Sequence, residues 1–368
     1  MSTLSESPLA ECHRSLGARI IPFAGWNLPV EYNGLLAEHK ATRQAAGLFD
    51  ISHMGQVRAS GAGALPALES LLANDPAKLR DGEGQYTFLL NDQGGVIDDL
   101  FLYRLAEGEF LLVVNASRHS EDLRILIQAG KKDVAFSGQP GSTAGMALQG
   151  PKSPHILSKV LAVDPTNPPP PARNRIAKCR IAGHPVLVAA TGYTGEDGFE
   201  IFTDPAAGPL VWKTLMEAGK PEGMLPCGLG SRDSLRLEAG FPLNGQDLST
   251  EITPIEAGLG FFVDLGRPRS FPGREVLERQ KKSGTSRTCV GLRGQPGQPP
   301  PRHDYPVFQA ERRVGTITSG GPSPTLGYGV ALALITTPAP ACGQDLEFEV
   351  RGRRVPVKVC PRRFIPKK

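Results

Sequence analysis

Three short apolar-rich runs, at 85–90, 96–105 and 110–115, are separated by polar, glycine-bearing stretches. Those stretches are Asn91-Asp92-Gln93-Gly94-Gly95 and Ala106-Glu107-Gly108-Glu109. The pattern predicts a three-strand meander with two tight turns. Its middle strand carries two adjacent carboxylates, Asp98 and Asp99, inside Val96-Ile97-Asp98-Asp99-Leu100-Phe101-Leu102-Tyr103. Aspartate is a poor strand former, and burying a carboxylate is costly unless it has partners. Strand side chains alternate, so the two must face opposite ways. Asp99 shares its face with Ile97, Phe101 and Tyr103, and Asp98 with Val96, Leu100 and Leu102. Both faces read as apolar, with no watery exit for either carboxylate. A structural Asp bonded to a neighbouring turn and an Asp kept for chemistry both satisfy this pattern.

Other elements follow from the same reading. Residues 63–74 carry a helical apolar period, and Ser117 reads as the cap of a helix that stops at Gly130. Further on, 208–218 and 232–239 are the clearest helices, and long helices are otherwise expected to be rare. The last third alternates short strands and turns, at 288–292, 313–318, 329–334, 346–350 and 355–359, which predicts a small barrel or sandwich. Proline clusters at 168–171 and 296–301 cannot lie inside a sheet and mark surface loops. The fold class is α+β.

A chain of 368 residues exceeds one ordinary core and predicts two or three domains. No window approaches the roughly 18 apolar residues of a membrane span. The start, Met1-Ser2-Thr3-Leu4-Ser5-Glu6, lacks the basic and apolar regions of a signal peptide, so the expected location is the cytoplasm. The six cysteines are dispersed without a Cys-x-x-Cys pair, indicating neither a zinc site nor a disulfide framework. A net charge of +4 is too weak a bias to imply nucleic acid. The bias concentrates after residue 350, where Arg351, Arg353, Arg354, Lys358, Arg362, Arg363, Lys367 and Lys368 occur with no acid. That stretch suits an acidic partner or anionic ligand, or is a solvated edge. Phosphate-loop, dinucleotide, nucleophile-elbow and His-Glu-x-x-His signatures are absent. His39 and His53 lie near acids but match no metal spacing, so no metal is expected.

What remains is a series of glycine-rich polar motifs. They run Phe23-Ala24-Gly25-Trp26, Phe49-Asp50-Ile51-Ser52-His53-Met54-Gly55, the Asp98-Asp99 strand, and Thr191-Gly192-Tyr193-Thr194-Gly195-Glu196-Asp197-Gly198-Phe199-Glu200. Gly228-Leu229-Gly230-Ser231-Arg232-Asp233-Ser234, Asn244-Gly245-Gln246-Asp247 and Thr318-Ser319-Gly320-Gly321-Pro322 complete the series. In this order they closely resemble the aminomethyltransferase family, the T-protein of the glycine cleavage system, over essentially the whole chain.

The resemblance implies a three-domain folate-binding aminomethyltransferase fold around a central channel, with a C-terminal β-barrel-like domain. Domain one would be 1–55 with 146–265, domain two 56–145, and domain three 266–368. It implies transfer of a one-carbon unit from the aminomethyl-lipoyl arm of H-protein to tetrahydrofolate, giving ammonia and 5,10-methylenetetrahydrofolate. Tetrahydrofolate is then the co-substrate and lipoylated H-protein the partner, with a monomeric enzyme and no metal, nucleic acid or membrane. The folate nitrogens are the nucleophiles, so the protein must position them, help a proton leave and exclude water. The family match gives the proton role to Asp99. It gives the pterin donors to Glu200, whose carboxylate can accept two parallel bonds, puts Tyr193 of the same motif in the pocket lining, and makes Arg232 a substrate-binding arginine. Met54, Tyr86 and Asn115 match further pocket positions.

Departures from the family pattern occur at Phe241 and Phe261, where Tyr and Trp are usual, and at Arg363-Phe364, where Pro-Phe is usual. Arg362 and Arg363 are stand-ins for a C-terminal folate contact of relatives. The alternative is a non-catalytic folate-binding protein of the same fold, of the iron–sulfur assembly type. Its cysteine motif is missing from Glu238-Ala239-Gly240-Phe241-Pro242-Leu243-Asn244-Gly245-Gln246-Asp247. A sarcosine- or dimethylglycine-oxidase folate domain would need a flavin domain, for which there is no fingerprint.

Overall fold

The meander is present in the computed structural model, which describes residues 4–130 and 133–366. Its strands are Gly84–Leu90, Val96–Ala106 and Glu109–Val114, neighbours in a five-stranded sheet completed by Gly55–Ser60 and Ala135–Ser137. The first turn closes as its composition dictates: the Asn91 side-chain oxygen accepts the N–H groups of Gln93 and Gly95, and Gly94 takes φ 79°. Gly95 has a second reason to be glycine, because a Cβ there would lie 1.9 Å from the Thr250 carbonyl oxygen. The face bearing Asp98, with Val96, Leu100 and Leu102, is fully buried. The other differs in part from the expectation of two closed faces: Ile97, Asp99 and Phe101 are half-buried, while Tyr103 is sealed. Asp99 therefore has access to solvent or a ligand, and Asp98 has none.

Two predicted elements change at their ends. The 63–74 helix is Ala64–Leu71, because Leu72 already bridges to Leu89 and the Ala73 N–H bonds to the Phe88 carbonyl. Ser117 does not cap the next helix, His119–Ala129, whose N-cap is Arg118. The Asn115 carbonyl accepts the N–H groups of Arg118 and His119 instead, so the entry is satisfied without a hydroxyl.

The chain forms two compact units. One comprises Met1–Leu68, Pro76–Gln85 and Leu100–Asp233, the other Glu69–Asp75, Tyr86–Asp99 and Ser234–Lys368. The first is built on a six-stranded sheet in the order Ile176–Ile181, His184–Ala189, Gly198–Thr203, Ala144–Gln149, Gly47–Asp50, Leu225–Cys227. All six residues of Ala144–Gln149 are buried, and Met146 and Leu148 meet Ile156, Val211 and Leu215 from the helices Ser153–Leu161 and Gly208–Gly219.

The second unit contains a closed six-stranded barrel in the order Arg287–Arg293, Tyr328–Thr336, Arg312–Ser323, Pro306–Gln309, Asp345–Val350, Arg353–Cys360. It is thus a barrel and not a sandwich. The strand that sequence reasoning missed, Pro306–Gln309, is four residues long and starts on a proline. Strand Arg312–Ser323 shifts register between Ile317 and Ser319, a β-bulge. Two helices also escaped the expectation of few later helices. Ser153–Leu161 has Pro154 in its first turn, where it is tolerated, and Arg274–Ser283 carries only two apolar residues, Val276 and Leu277, too few to mark an apolar stripe. Among the described residues no helix is long and apolar enough to cross a membrane. Met1, Lys367 and Lys368 lie outside the described residues.

Candidate active site

Five of the seven predicted site residues fall into two clusters, one in each unit: Asp99 with Tyr86, and Glu200 with Arg232 and Tyr193. In the second unit Asp99 is held at both oxygens. The Tyr86 hydroxyl donates to Oδ2 at 2.7 Å, and the Asn244 amide donates to Oδ1 at 3.3 Å. Tyr86 comes from the neighbouring meander strand, and its ring is fixed edge-on between Phe88 and Phe262, at 5.1 and 4.9 Å. Phe262 in turn meets Phe261, the position where Trp is usual in the family, which is 91 % exposed.

In the first unit Glu200 sits within strand Gly198–Thr203, half-buried. Its Oε2 accepts the Thr191 hydroxyl at 2.7 Å, and Thr191 Oγ1 is also 2.7 Å from the Tyr103 hydroxyl. Burial pushes the Glu200 carboxyl above the ordinary range, against the pull of Thr191 and Arg232. The same cause raises Tyr103, with Glu200 adding to it. The Arg232 guanidinium carbon lies 4.9 Å from the Tyr193 ring centroid, a cation–π contact. His53 is buried, and burial plus the Arg232 charge lower its pKa to about 4.

The glycines of the Thr191–Glu200 motif have a physical explanation. A Cβ at Gly192 or Gly198 would overlap the Gln149 side chain, at 1.9 and 2.3 Å. That amide donates to the Thr191 carbonyl and accepts from Thr194, pinning the loop that carries Tyr193. Arg43 holds the same loop through the Thr194 carbonyl and Glu196.

Met54 lies in the turn after strand Gly47–Asp50, its N–H bonded to the Ile51 carbonyl, and Asn115 follows Glu109–Val114. Arg362 donates to the Ala257 and Gly258 carbonyls, and Arg363 to that of Ile365. Part of the basic stretch is paired within the barrel: Lys358 with Asp345, and Arg354 with Glu349 while lying over the Phe308 ring. Among the described residues no group of three His, Cys, Asp or Glu side chains could hold a metal ion. Sequence reasoning missed Asn244, Thr191, Tyr103 and the proximity of His53 to Arg232. Asn244 and Thr191 stand inside quoted motifs, but nothing in their spacing singles them out.

The family described as GCVT N-terminal domain matches residues 9–267, and the Glycine cleavage T-protein C-terminal barrel domain matches 287–365. An aminomethyltransferase of Bacillus pumilus is 42% identical over 357 residues, covering 97% of both chains. That of Bacillus subtilis is 42% identical over 356 residues, covering 97% of this chain and 98% of that one. The crystal structure of glycine cleavage system aminomethyltransferase T from Bartonella henselae superposes with a TM-score of 0.90 at 33% identity, covering 98% of each chain. Two matched domains and near-complete coverage at this identity establish that the chain belongs to the aminomethyltransferase family, the T-proteins of the glycine cleavage system.

Proposed function

We propose that the chain transfers the one-carbon unit from aminomethylated, lipoylated H-protein to tetrahydrofolate, with Asp99 as the group that handles the proton. The observation that carries this reading is the half-buried Asp99, held by Tyr86 and Asn244 on a strand whose other carboxylate is sealed. Tetrahydrofolate supplies the nitrogen nucleophiles. The donor set fits it. The bond from Thr191 falls on Glu200 Oε2, and a carboxylate has about four lone-pair sites, so capacity remains for the adjacent pterin donors. Arg232, stacked on Tyr193, holds positive charge near that carboxylate. Met54 and Asn115 line the same pocket in this reading, and the chain divides as 1–55 with 146–265, 56–145 and 266–368.

As the two folate nitrogens bond to the carbon, its bonds to the amino nitrogen and the lipoyl sulfur break, leaving ammonia and the dihydrolipoyl thiol. Asp99 takes up a proton released by the attacking amine, and its negative charge stabilises positive charge at the reacting carbon. Tyr86 keeps the carboxylate aligned. Glu200 and Arg232 set the orientation of the pterin, which delivers much of the rate through positioning. The test is ammonia release from aminomethyl H-protein with and without tetrahydrofolate. Folate-dependent release supports the reading. Folate binding without release would point to the non-catalytic relatives.

A further inference from the structure

We propose that Asn244 is a positioning residue for this transfer, its amide anchored through Asp247 to the barrel and fixing the orientation of the Asp99 carboxylate. The inference rests on the proposed role of Asp99 and adds a residue to it. A carboxylate held at one oxygen can still rotate about its Cβ–Cγ bond. Tyr86 donates to Oδ2, and Asn244 donates to Oδ1, so the two act on opposite oxygens. The same Asn244 nitrogen is 3.5 Å from the Ile97 carbonyl, so one amide spans residues i and i+2 of the strand.

The turn that carries Asn244 is held from behind. Within it, Asp247 N–H bonds the Leu243 carbonyl and Gly245 N–H bonds that of Leu248, with Gly245 at φ 86°. The buried Asp247 carboxylate then collects four donors. Oδ2 accepts from the Leu243 N–H at 2.9 Å, Arg236 at 3.1 Å and Ser319 at 2.6 Å, and Oδ1 accepts from Thr318. Thr318 and Ser319 are consecutive, and in a regular strand they would point to opposite faces. The bulge between Ile317 and Ser319 is what turns both hydroxyls to one carboxylate. A residue that merely closed its own turn would not need an amide directed at a strand about 145 positions away.

The experiment compares Asn244→Ala and Asn244→Asp, each alone and combined with Asp99→Asn, measuring kcat, the folate KM and thermal unfolding. Asn244→Ala is expected to lower kcat about 10-fold, the worth of a hydrogen bond to a charged group, with the folate KM unchanged. Asn244→Asp, nearly isosteric, should cost more, roughly 100-fold, because it sets a like charge against Asp99. In the Asp99→Asn background neither change should matter beyond about 2-fold, since residues acting through one group are not additive. Equal losses in both backgrounds, or no loss from Asn244→Asp, would overturn the proposal. If Asn244→Ala fails to fold, the Asp variant decides. Near-normal transfer by Asp99→Asn alone would instead overturn the role given to Asp99, and this proposal with it.

Discussion

The Asp99 and Glu200 clusters solve opposite problems with the same functional group. Two of the donors that orient Asp99, the Tyr86 hydroxyl and the Asn244 amide, are neutral, and its strand face is half-buried. Glu200 is set among groups whose ionisation burial disturbs: its own pKa and that of Tyr103 are raised, and those of Arg232 and His53 are lowered. The first arrangement fixes geometry, which suits a proton acceptor whose pose sets the rate. The second stores unfavourable electrostatics that a ligand with matched donors relieves, which suits recognition.

The contrast can be broken in order of expected effect. Asp99→Ala should reduce one-carbon transfer by at least about 10²-fold while tetrahydrofolate affinity, read by calorimetry, stays within a few-fold. Glu200→Ala should do the reverse, weakening folate binding by about 1.5–3 kcal/mol, the worth of a charged hydrogen bond, with less effect on kcat at saturation. Tyr86→Phe should lower kcat by roughly 10-fold without changing folate affinity, because it removes one donor from Asp99.

Acidity sharpens the comparison further. The folded Glu200 binds its proton more readily than an ordinary glutamate near 4.5. A ligand that needs the ionised form therefore loses affinity as pH falls through a midpoint above that value. For stability the sign is opposite. A carboxyl with a raised folded pKa stabilises the fold at low pH and loses that contribution as pH rises through its folded value. Glu200→Gln should thus raise the unfolding temperature at neutral pH while weakening folate binding. The smallest effect is spectroscopic: His53 should titrate near 4 by NMR, and Arg232→Ala should raise that value by removing a nearby positive charge.

The meander and the separation of Asp98 from Asp99 were legible in the sequence because strand alternation and turn chemistry are local. Five of six barrel strands were legible for the same reason. Pro306–Gln309 was not, since a four-residue strand opening on proline carries almost no periodic signal. The openness of the Asp99 face was not legible either, because it depends on what covers Ile97 and Phe101, which no local pattern records. Of the proposed site residues, the motif resemblance singled out Asp99, Glu200 and Arg232. Asn244 and Thr191 stand in its motifs without being singled out, since what distinguishes them is contacts set by the folded chain.

The bulge at Thr318 also bears on how the barrel finds its pairing. A strand can slip by two residues and keep its apolar face inward, an error that alternation alone does not forbid. Here a slip would carry Thr318 and Ser319 away from Asp247 and leave a buried ionic hub short of two donors. The irregularity therefore acts as an index mark, giving one alignment of this strand an advantage that its neighbours in register space lack. Deleting Thr318 would restore a regular ladder and erase the mark, so the expected defect is slow or heterogeneous refolding of the barrel even where the strands still pair.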